Sequence, residues 1–482
     1  MGRANMVIVS NVTCPVCGCL CDDIEITVKN NIITEVKNAC AIGAAKFLTY
    51  NDHRPQNPQI RKNGKLVNVT LNEAIKKSAE ILHEADYPIL YGWSSTSCEA
   101  IRTGLKLAED IGGVIDNTST ICHGPSILAI QDVGLSGSTL GQLRHRADLV
   151  IYWGCNPWSA HPRHIERYSA FSNGRFQEST YNRYFKRLTA NSISKKMLRV
   201  THRALDRSIS SSTTIDHRVP YTLSREERKL IVIDVRKTRT AEIADYFIQV
   251  EPNRDYELLQ AFRALIRDEV LEVDDVAGIP VEILEEVADI MISCRLGVIF
   301  FGLGLTMSMG KHRNIDSAIS LTRDLNRRTK FLIMPMRGHF NVTGADTVFT
   351  WQSGYPFAVD YSRGYPRYNP GETSIIDILC RGESDAGLII ASDPVANFPK
   401  KAVTHLVNNP LIVIDPHTSP TSLMADVVIP STFVGIETEG IAYRMDHIPL
   451  PMKKIVDGPN GLLSDTEILT RITREVQMLK VI

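Results

Sequence analysis

The stretch ADLVIYWGCNP, residues 147–157, decides the fold class. Its apolar run is continuous, LVIYWG, so the strand it predicts is covered on both faces, as in a parallel sheet flanked by helices. Its polar end suits a ligand loop at the strand's carboxyl edge. The pattern recurs in YPILYGWSS (87–95), RKLIVIDVRKT (228–238), RLGVIFFGLGL (295–305), DAGLIIASDP (385–394) and NPLIVIDPHTS (409–419). Each run ends in turn-forming or polar residues and is followed by a helical pattern. Six such units predict an α/β protein with more than one sheet.

The length, 482 residues, is about three times the usual allowance per domain and predicts two to four of them. Forty-three per cent is hydrophobic and 22% charged, enough apolar material for a sizeable core. Lys plus Arg equals Asp plus Glu, 54 each, which argues against a general nucleic-acid binder. The longest apolar stretch, Leu296 to Met309, is interrupted by Gly302, Gly304 and Thr306 and is too short to span a bilayer. The opening MGRANMVIVSNVTCPVC has no hydrophobic region of signal-peptide length. Membrane and secretory classes are excluded on this reading, and a cytoplasmic location is expected. Residues 171–230 differ from the rest: 13 Lys plus Arg face 5 Asp plus Glu, with the run SISSSTTIDH at 208–217. That composition predicts a solvated or flexible insertion; the competing reading is a docking surface for an acidic partner subunit.

Five of the ten cysteines, Cys14, Cys17, Cys19, Cys21 and Cys40, fall in the first 40 residues. A disulfide framework would be odd in a large chain without an export signal. Cys14-x2-Cys17-x3-Cys21, followed after 18 intervening residues by Cys40, offers four thiolates from one loop and one return segment. Four soft donors suit a cubane iron–sulfur cluster. Structural zinc and plain buried thiols are the alternatives, although zinc ribbons prefer two C-x2-C pairs and only one is present. Cys19 is spaced too closely to its neighbours to join them as a ligand.

Three segments, RPQNPQIRKNGKLVNVTLNEAIKKSAEIL (54–82), VIDVRKTRTAEIADYFIQVEPNRDYELLQAF (232–262) and VIDPHTSPTSLMADVVIPSTFVGIETEGIAYRMD (413–446), resemble the molybdopterin oxidoreductases. Within that superfamily, CPVCGCLCDDI (14–24), NTSTICHGPS (117–126), NPWSAHPRHIERYS (156–169), GLGLTMSMGKHRNIDSAI (302–319) and MPMRGHFNVTG (334–344) are similar to one family, the B-type, tungsten- or molybdenum-carrying subunit of formylmethanofuran dehydrogenase. The likeness covers nearly the whole chain apart from about 178–226. It implies several Rossmann-like parallel-sheet domains of the molybdopterin oxidoreductase type with a small N-terminal iron–sulfur domain. The expected limits are 1–58 for the iron–sulfur domain, 59–115 with 330–482 for one pterin-binding domain, and 116–329 for a second that contains the insertion.

The resemblance further implies a bis-molybdopterin guanine dinucleotide with tungsten or molybdenum, and one 4Fe-4S cluster on Cys14, Cys17, Cys21 and Cys40. Cys122 would be the single protein ligand to the tungsten or molybdenum. His123 and Arg337 match residues beside the metal: the guanidinium can grip a carboxylate by two parallel hydrogen bonds, and the imidazole can manage a proton. His339 and Asn341 share Arg337's motif and are weaker candidates. Strand ends that let backbone approach phosphate mark the expected pterin loops: Gly92, Trp93 and Ser94; Gly154 and Asn156; Gly302 and Gly304; Asp393. Asp234, with Arg236, Lys237 and Thr238, and in the other half of the chain Asp415, His417 and Thr418, repeat one strand-to-polar-loop pattern. Each alone is an ordinary β–α turn; the pair suggests two dinucleotides. HPRH (161–164) looks like a metal motif but is set aside, because softer ligands exist elsewhere.

The family implies reduction of CO2 to formate, which a partner binuclear metallohydrolase subunit condenses with methanofuran in the first step of methanogenesis from CO2. Electrons would come from polyferredoxin or ferredoxin-like subunits. The chain ends 42 residues after Gly440, short of the C-terminal barrel of formate dehydrogenases, so another subunit is expected to supply that domain. The rivals are a stand-alone formate dehydrogenase or other molybdopterin oxidoreductase, and an electron-conducting or structural subunit that lacks the pterin metal.

Overall fold

A computed structural model describes residues 6–52, 54–172 and 228–481; the expected insertion at 178–226 lies outside them. The chain divides into two compact units, one of Met1–Ile121 with His339–Ile482, the other Cys122–Gly338.

The continuous unit is built on five parallel strands, in spatial order Tyr246–Gln249, Lys229–Asp234, Leu149–Trp153, Leu296–Phe301 and Lys330–Pro335. Numbered along the chain this order is 3-2-1-4-5, so the winding reverses between Leu149–Trp153 and Leu296–Phe301. Ile151, Trp153, Ile231, Ile233, Ile299 and Phe301 face one way into a core completed by helices Asp255–Ile266, Val281–Ser293 and His312–Leu325. Each fully buried side chain of this kind contributes roughly 1.5–3 kcal/mol. Val150 and Tyr152 alternate onto the other face and are equally buried, which is why LVIYW shows no polar period.

The discontinuous unit holds a nine-stranded sheet. Its centre is parallel: Val114–Asn117, Pro88–Gly92, Ala386–Ile390, Leu411–Ile414 and Val427–Ile429, in chain order 2-1-3-4-5. The reversal here falls between Pro88–Gly92 and Ala386–Ile390. Antiparallel pairs Val359–Asp360 with Arg367–Tyr368, and Gln59–Lys62 with Lys65–Asn68, close the two edges. Helices Leu71–Glu84, Cys98–Ile111 and Asp465–Leu479 cover one face. Two of them open on capping boxes, Thr70 with Glu73 and Ser464 with Glu467, each of which satisfies two first-turn donors. Helices Ile375–Arg381 and Lys400–Val407 pack on the other face. A three-stranded antiparallel sheet, Met6–Val12, Ile24–Lys29 and Ile32–Lys37, leads into helix Ala41–Thr49. Among the described residues no helix is long and apolar enough to cross a membrane.

The six apolar runs are thus all parallel strands, three in each unit. Each sheet carries one topological reversal, where loops diverge and leave a crevice at the carboxyl edge.

Candidate functional site

In the continuous unit the reversal is made by glycines in backbone contact. Gly154 takes φ +57°, and its carbonyl accepts from the Gly304 amide at 2.8 Å. A Cβ on Gly304 would stand 2.6 Å from Gly154 Cα, and one on Gly302 2.5 Å from Cys155 Cβ. Any side chain there would force the two loops apart.

Around this edge the structure gathers Cys122, His123 and Arg337. The Thr306 hydroxyl, just beyond strand Leu296–Phe301, donates to the Cys122 carbonyl at 2.9 Å. His123 is buried, edge-on to Phe301 with ring centroids 6.4 Å apart, and its Nδ1 lies 3.2 Å from Ser126 Oγ. Burial, then the Arg337 charge, depress its pKa to about 3, with a hydrogen bond to the Met336 backbone opposing. The ring is therefore neutral near pH 7. Arg337, also buried, follows Met336, whose amide donates to the Phe301 carbonyl at 2.8 Å and extends the strand pairing by one residue. Its own carbonyl accepts from His161 Nε2 at 2.7 Å.

The remaining expected residues of this unit line the same edge. Asn156 Oδ1 accepts from Thr240 Oγ1 at 2.6 Å, and its Nδ2 donates to Ser159 at 3.0 Å. Asp234 ends its strand and accepts the Arg236 amide at 3.3 Å; burial raises its carboxyl. Arg236 and Lys237 are exposed, whereas Thr238 uses its oxygen to cap helix Arg239–Glu242. The HPRH imidazoles bond within the fold: His164 Nδ1 lies 2.8 Å from Tyr152 Oη, and His161 serves Arg337.

In the discontinuous unit Gly92 takes φ +129°, and a Cβ there would lie 1.9 Å from the Ile390 carbonyl oxygen. Ser94 accepts from Thr118 Oγ1 at 2.5 Å. Trp93 offers only backbone to the strand-end loop, since its ring turns into the core over Gly104. Asp393 accepts the Thr421 amide and hydroxyl at 3.0 and 2.5 Å. Asp415 accepts the His417 amide at 2.7 Å, and burial pushes its carboxyl up to about 7. Thr418 is exposed. Asp465 accepts from Thr96 at 2.5 Å and faces the Ser431 hydroxyl, whereas the buried Thr432 hydroxyl closes no well-formed hydrogen bond. A buried polar atom in that state suits a polar ligand.

The cysteines of this unit converge as well. The Cys14 amide donates to the Cys21 carbonyl at 2.9 Å, and that of Leu20 to Cys17 at 3.0 Å. Cys40 caps helix Ala41–Thr49, its Sγ accepting the Gly43 amide at 3.4 Å. A Cβ on Gly43 would lie 3.1 Å from Cys14 Sγ and 3.7 Å from Cys40 Sγ. Burial raises the Cys14 thiol well above its ordinary value, and Cys21, Cys17 and Cys40 add to the rise. Cys17 is lowered, first by a hydrogen bond from the Cys19 side chain. No disulfide joins any of the ten cysteines. A thiol kept from ionising by burial and by three neighbouring cysteines fits a polycationic iron group, which would favour the thiolate form of all four. Among the described residues no set of three or more His, Cys, Asp or Glu side chains is drawn up to hold a single metal ion.

Sequence reasoning missed what lies beside them. Lys46 and Arg54 stack their charges on the Phe433 ring at 4.5 and 4.9 Å, and His417 meets the same ring edge-on at 4.8 Å. Arg54 is buried against Glu437 at 2.5 Å. A basic residue on the helix that Cys40 caps was the one available signal; the Arg54–Glu437 pairing has none, being remote in sequence.

No family model matches the chain. Among curated proteins it is 46% identical to the B-type subunit of tungsten-containing formylmethanofuran dehydrogenase 2 of Methanocaldococcus jannaschii, over 98% of this chain and 99% of that one. To the protein of the same description from Methanococcus maripaludis it is 43% identical, over 98% and 100%. The F420-dependent formate dehydrogenase 2 subunit alpha of Methanococcus maripaludis is 23% identical over 96% of this chain and 69% of its own. Among solved structures the fold matches the formyltransferase/hydrolase complex of Methylorubrum extorquens with methylofuran (TM-score 0.63, 19% identity, 88% of this chain and 100% of that one). It also matches acetylene hydratase of Pelobacter acetylenicus (TM-score 0.68, 12% identity, 98% and 70%). With near-half identity running end to end through both units, this chain belongs to the B-type subunit family of formylmethanofuran dehydrogenases, which are oxidoreductases.

Proposed function

We propose that the chain is the redox subunit of a multisubunit formylmethanofuran dehydrogenase and interconverts CO2 and formate, formate passing to a hydrolase subunit for condensation with methanofuran. The observation that carries this reading is the meeting of Cys122, His123 and Arg337 at the glycine-made edge of one parallel sheet. When bound, a tungsten– or molybdenum–bis(pterin guanine dinucleotide) group would supply a two-electron redox centre. Cys122 would be the thiolate donor to that metal, a soft ligand suited to a soft site. The tungsten-containing relatives favour tungsten.

The chain's own residues handle a small anion. Reduction of CO2 to formate takes up two electrons and one proton. Arg337, buried at this edge, holds the carboxylate by two parallel hydrogen bonds from its guanidinium. Burial first, and then the Arg337 charge, keep His123 unprotonated, so the neutral ring adds no charge beside formate and serves it as a hydrogen-bond partner. Asp234, Arg236 and Lys237 at one sheet's carboxyl edge would hold one pterin dinucleotide, and Asp393, Asp415 and His417 at the other's would hold the second. Cys14, Cys17, Cys21 and Cys40 would hold a 4Fe-4S cluster in the first 58 residues, fed by ferredoxin-like partners.

The test uses the intact complex. Cys122→Ala should abolish formate and CO2 turnover and keep the iron–sulfur EPR signal; Cys40→Ala should lose that signal first. Undiminished turnover in Cys122→Ala, or loss of its cluster signal, would refute the assignment.

A further inference from the structure

We propose that the HPRH turn, residues 161–164, is a brace that sets the position of Arg337, with His161 as the positioning residue. The inference rests on the reading of Arg337 as the group that grips formate.

Five contacts carry it. His161 is buried, and its Nε2 lies 2.7 Å from the Arg337 carbonyl, so Nε2 carries the hydrogen and donates. His164, fully buried, places Nδ1 2.8 Å from Tyr152 Oη and its ring edge-on to Phe300 at 4.6 Å. Ser169 Oγ meets the same Tyr152 hydroxyl at 2.5 Å. Arg163 and Glu166 close the turn at 2.6 Å. One short turn thereby reaches Tyr152 and Phe300, on the two strands that flank the reversal, and Arg337, two residues beyond the neighbouring strand Lys330–Pro335.

The anchoring matters because the sheet's own hydrogen bonding reaches only to Met336, whose amide pairs with Phe301. Past that point the carbonyl of Arg337 takes its donor from His161. A guanidinium sits at the end of a long side chain, so a small shift at its root is magnified at the tip. A misplacement of about 1 Å can cost on the order of 100-fold in rate when a clamp on the reacting group moves. Each imidazole commits one ring nitrogen to protein, so the turn is built as a brace although its sequence looks like a metal motif.

The experiment measures formate oxidation with methyl viologen in the purified complex, alongside tungsten, molybdenum and iron content. His161→Phe keeps the bulk and removes the donor; His161→Gln keeps a donor at about the same reach; Arg337→Ala calibrates the site. We expect His161→Phe to raise KM for formate by about 10-fold with a smaller change in kcat and full metal content. His161→Gln should return KM to within roughly twofold of the parent. A parental KM in His161→Phe, while Arg337→Ala raises it, would overturn the brace and leave the Arg337 reading standing. Loss of tungsten or molybdenum from both His161 variants would also overturn it, making His161 a ligand or a fold determinant. If Arg337→Ala itself leaves KM unchanged, the reading on which the brace rests is what fails.

Discussion

Nζ of Lys46 lies 3.1 Å from Nε2 of His417, and both groups rest on the ring of Phe433. This contact ties the helix that Cys40 caps to the polar loop after strand Leu411–Ile414. Burial, followed by the charges of Lys46 and Arg54, lowers the His417 pKa to about 4. The ring is neutral, so the ammonium donates and the imidazole nitrogen accepts. Lys46 is itself lowered by burial, against the pull of Asp415.

A pH dependence follows. Folded His417 takes its proton near 4, whereas an unfolded histidine takes it near 6.5. Between those values the unfolded chain binds more protons, so this group's contribution to stability falls as pH drops from 6.5 to 4. Asp415 acts in the opposite sense: raised to about 7 from 3.8, it favours the folded state at the acid end of that window. His417→Gln keeps an acceptor for Lys46 and removes the titration. Its thermal midpoint should decline less steeply over this window than the parent's, and matching slopes would refute the argument.

Gly43 tests the proposed cluster. In a helix, Ala is more favourable than Gly by about 1 kcal/mol. Here the added methyl would stand 3.1 Å from Cys14 Sγ, and the residue's amide serves Cys40 Sγ. Gly43→Ala should therefore leave the melting temperature nearly unchanged while iron per chain falls and the EPR line shape of the reduced cluster alters. Parental iron content and spectrum would remove Gly43 from the cluster's surroundings.

The strands were legible because LVIYW, LIVID and their counterparts are buried on both faces and so carry an unbroken apolar signal. Their partners were not. Gln59–Lys62 pairs with Val427–Ile429, and Pro88–Gly92 with Ala386–Ile390, associations that no local period encodes. The strand-end glycines could be read as backbone approach points, but Gly92, Gly154, Gly302 and Gly304 approach other protein backbone or Cβ atoms. Trp93 sits at a strand end by sequence, yet the φ of +70° at that residue accompanies a ring turned inward over Gly104. The Lys46, Arg54, Phe433 and His417 assembly draws on segments nearly the full chain apart, so its members look ordinary one at a time.

Gly304 provides a test of the reversal. Its methyl would meet backbone, Gly154 Cα at 2.6 Å and the Gly154 carbonyl oxygen at 2.8 Å, neither of which can swing aside. Overpacking of this kind costs about 1–3 kcal/mol. Gly304→Ala should lower stability by that order and deplete tungsten or molybdenum while iron stays bound, as elemental analysis would report. Gly137→Ala, whose methyl meets one leucine methyl at 3.7 Å, is the matched control and should be near neutral. Equal metal retention in both variants would count against the reversal as the pterin edge.

The buried pair Arg54–Glu437 makes the sharpest stability prediction. Neither side chain is more than 1% exposed, and the guanidinium also donates to the Ser431 carbonyl at 2.6 Å. Glu437 in turn accepts the Phe433 amide at 3.0 Å, so the pair fixes the backbone beneath the aromatic ring. Arg54→Ala strands a carboxylate away from water, a change that costs about 3–5 kcal/mol. Arg54→Lys retains the charge but reaches only one of the two acceptors and should fall between. Burial and then Lys46 hold the His417 pKa down more than Arg54 does. Removing the Arg54 cation still relieves a part, so the pKa should rise somewhat from about 4 in Arg54→Ala, readable by NMR of the ring protons. A denaturation midpoint within experimental error of the parent's would mean that water or a neighbouring group replaces the arginine.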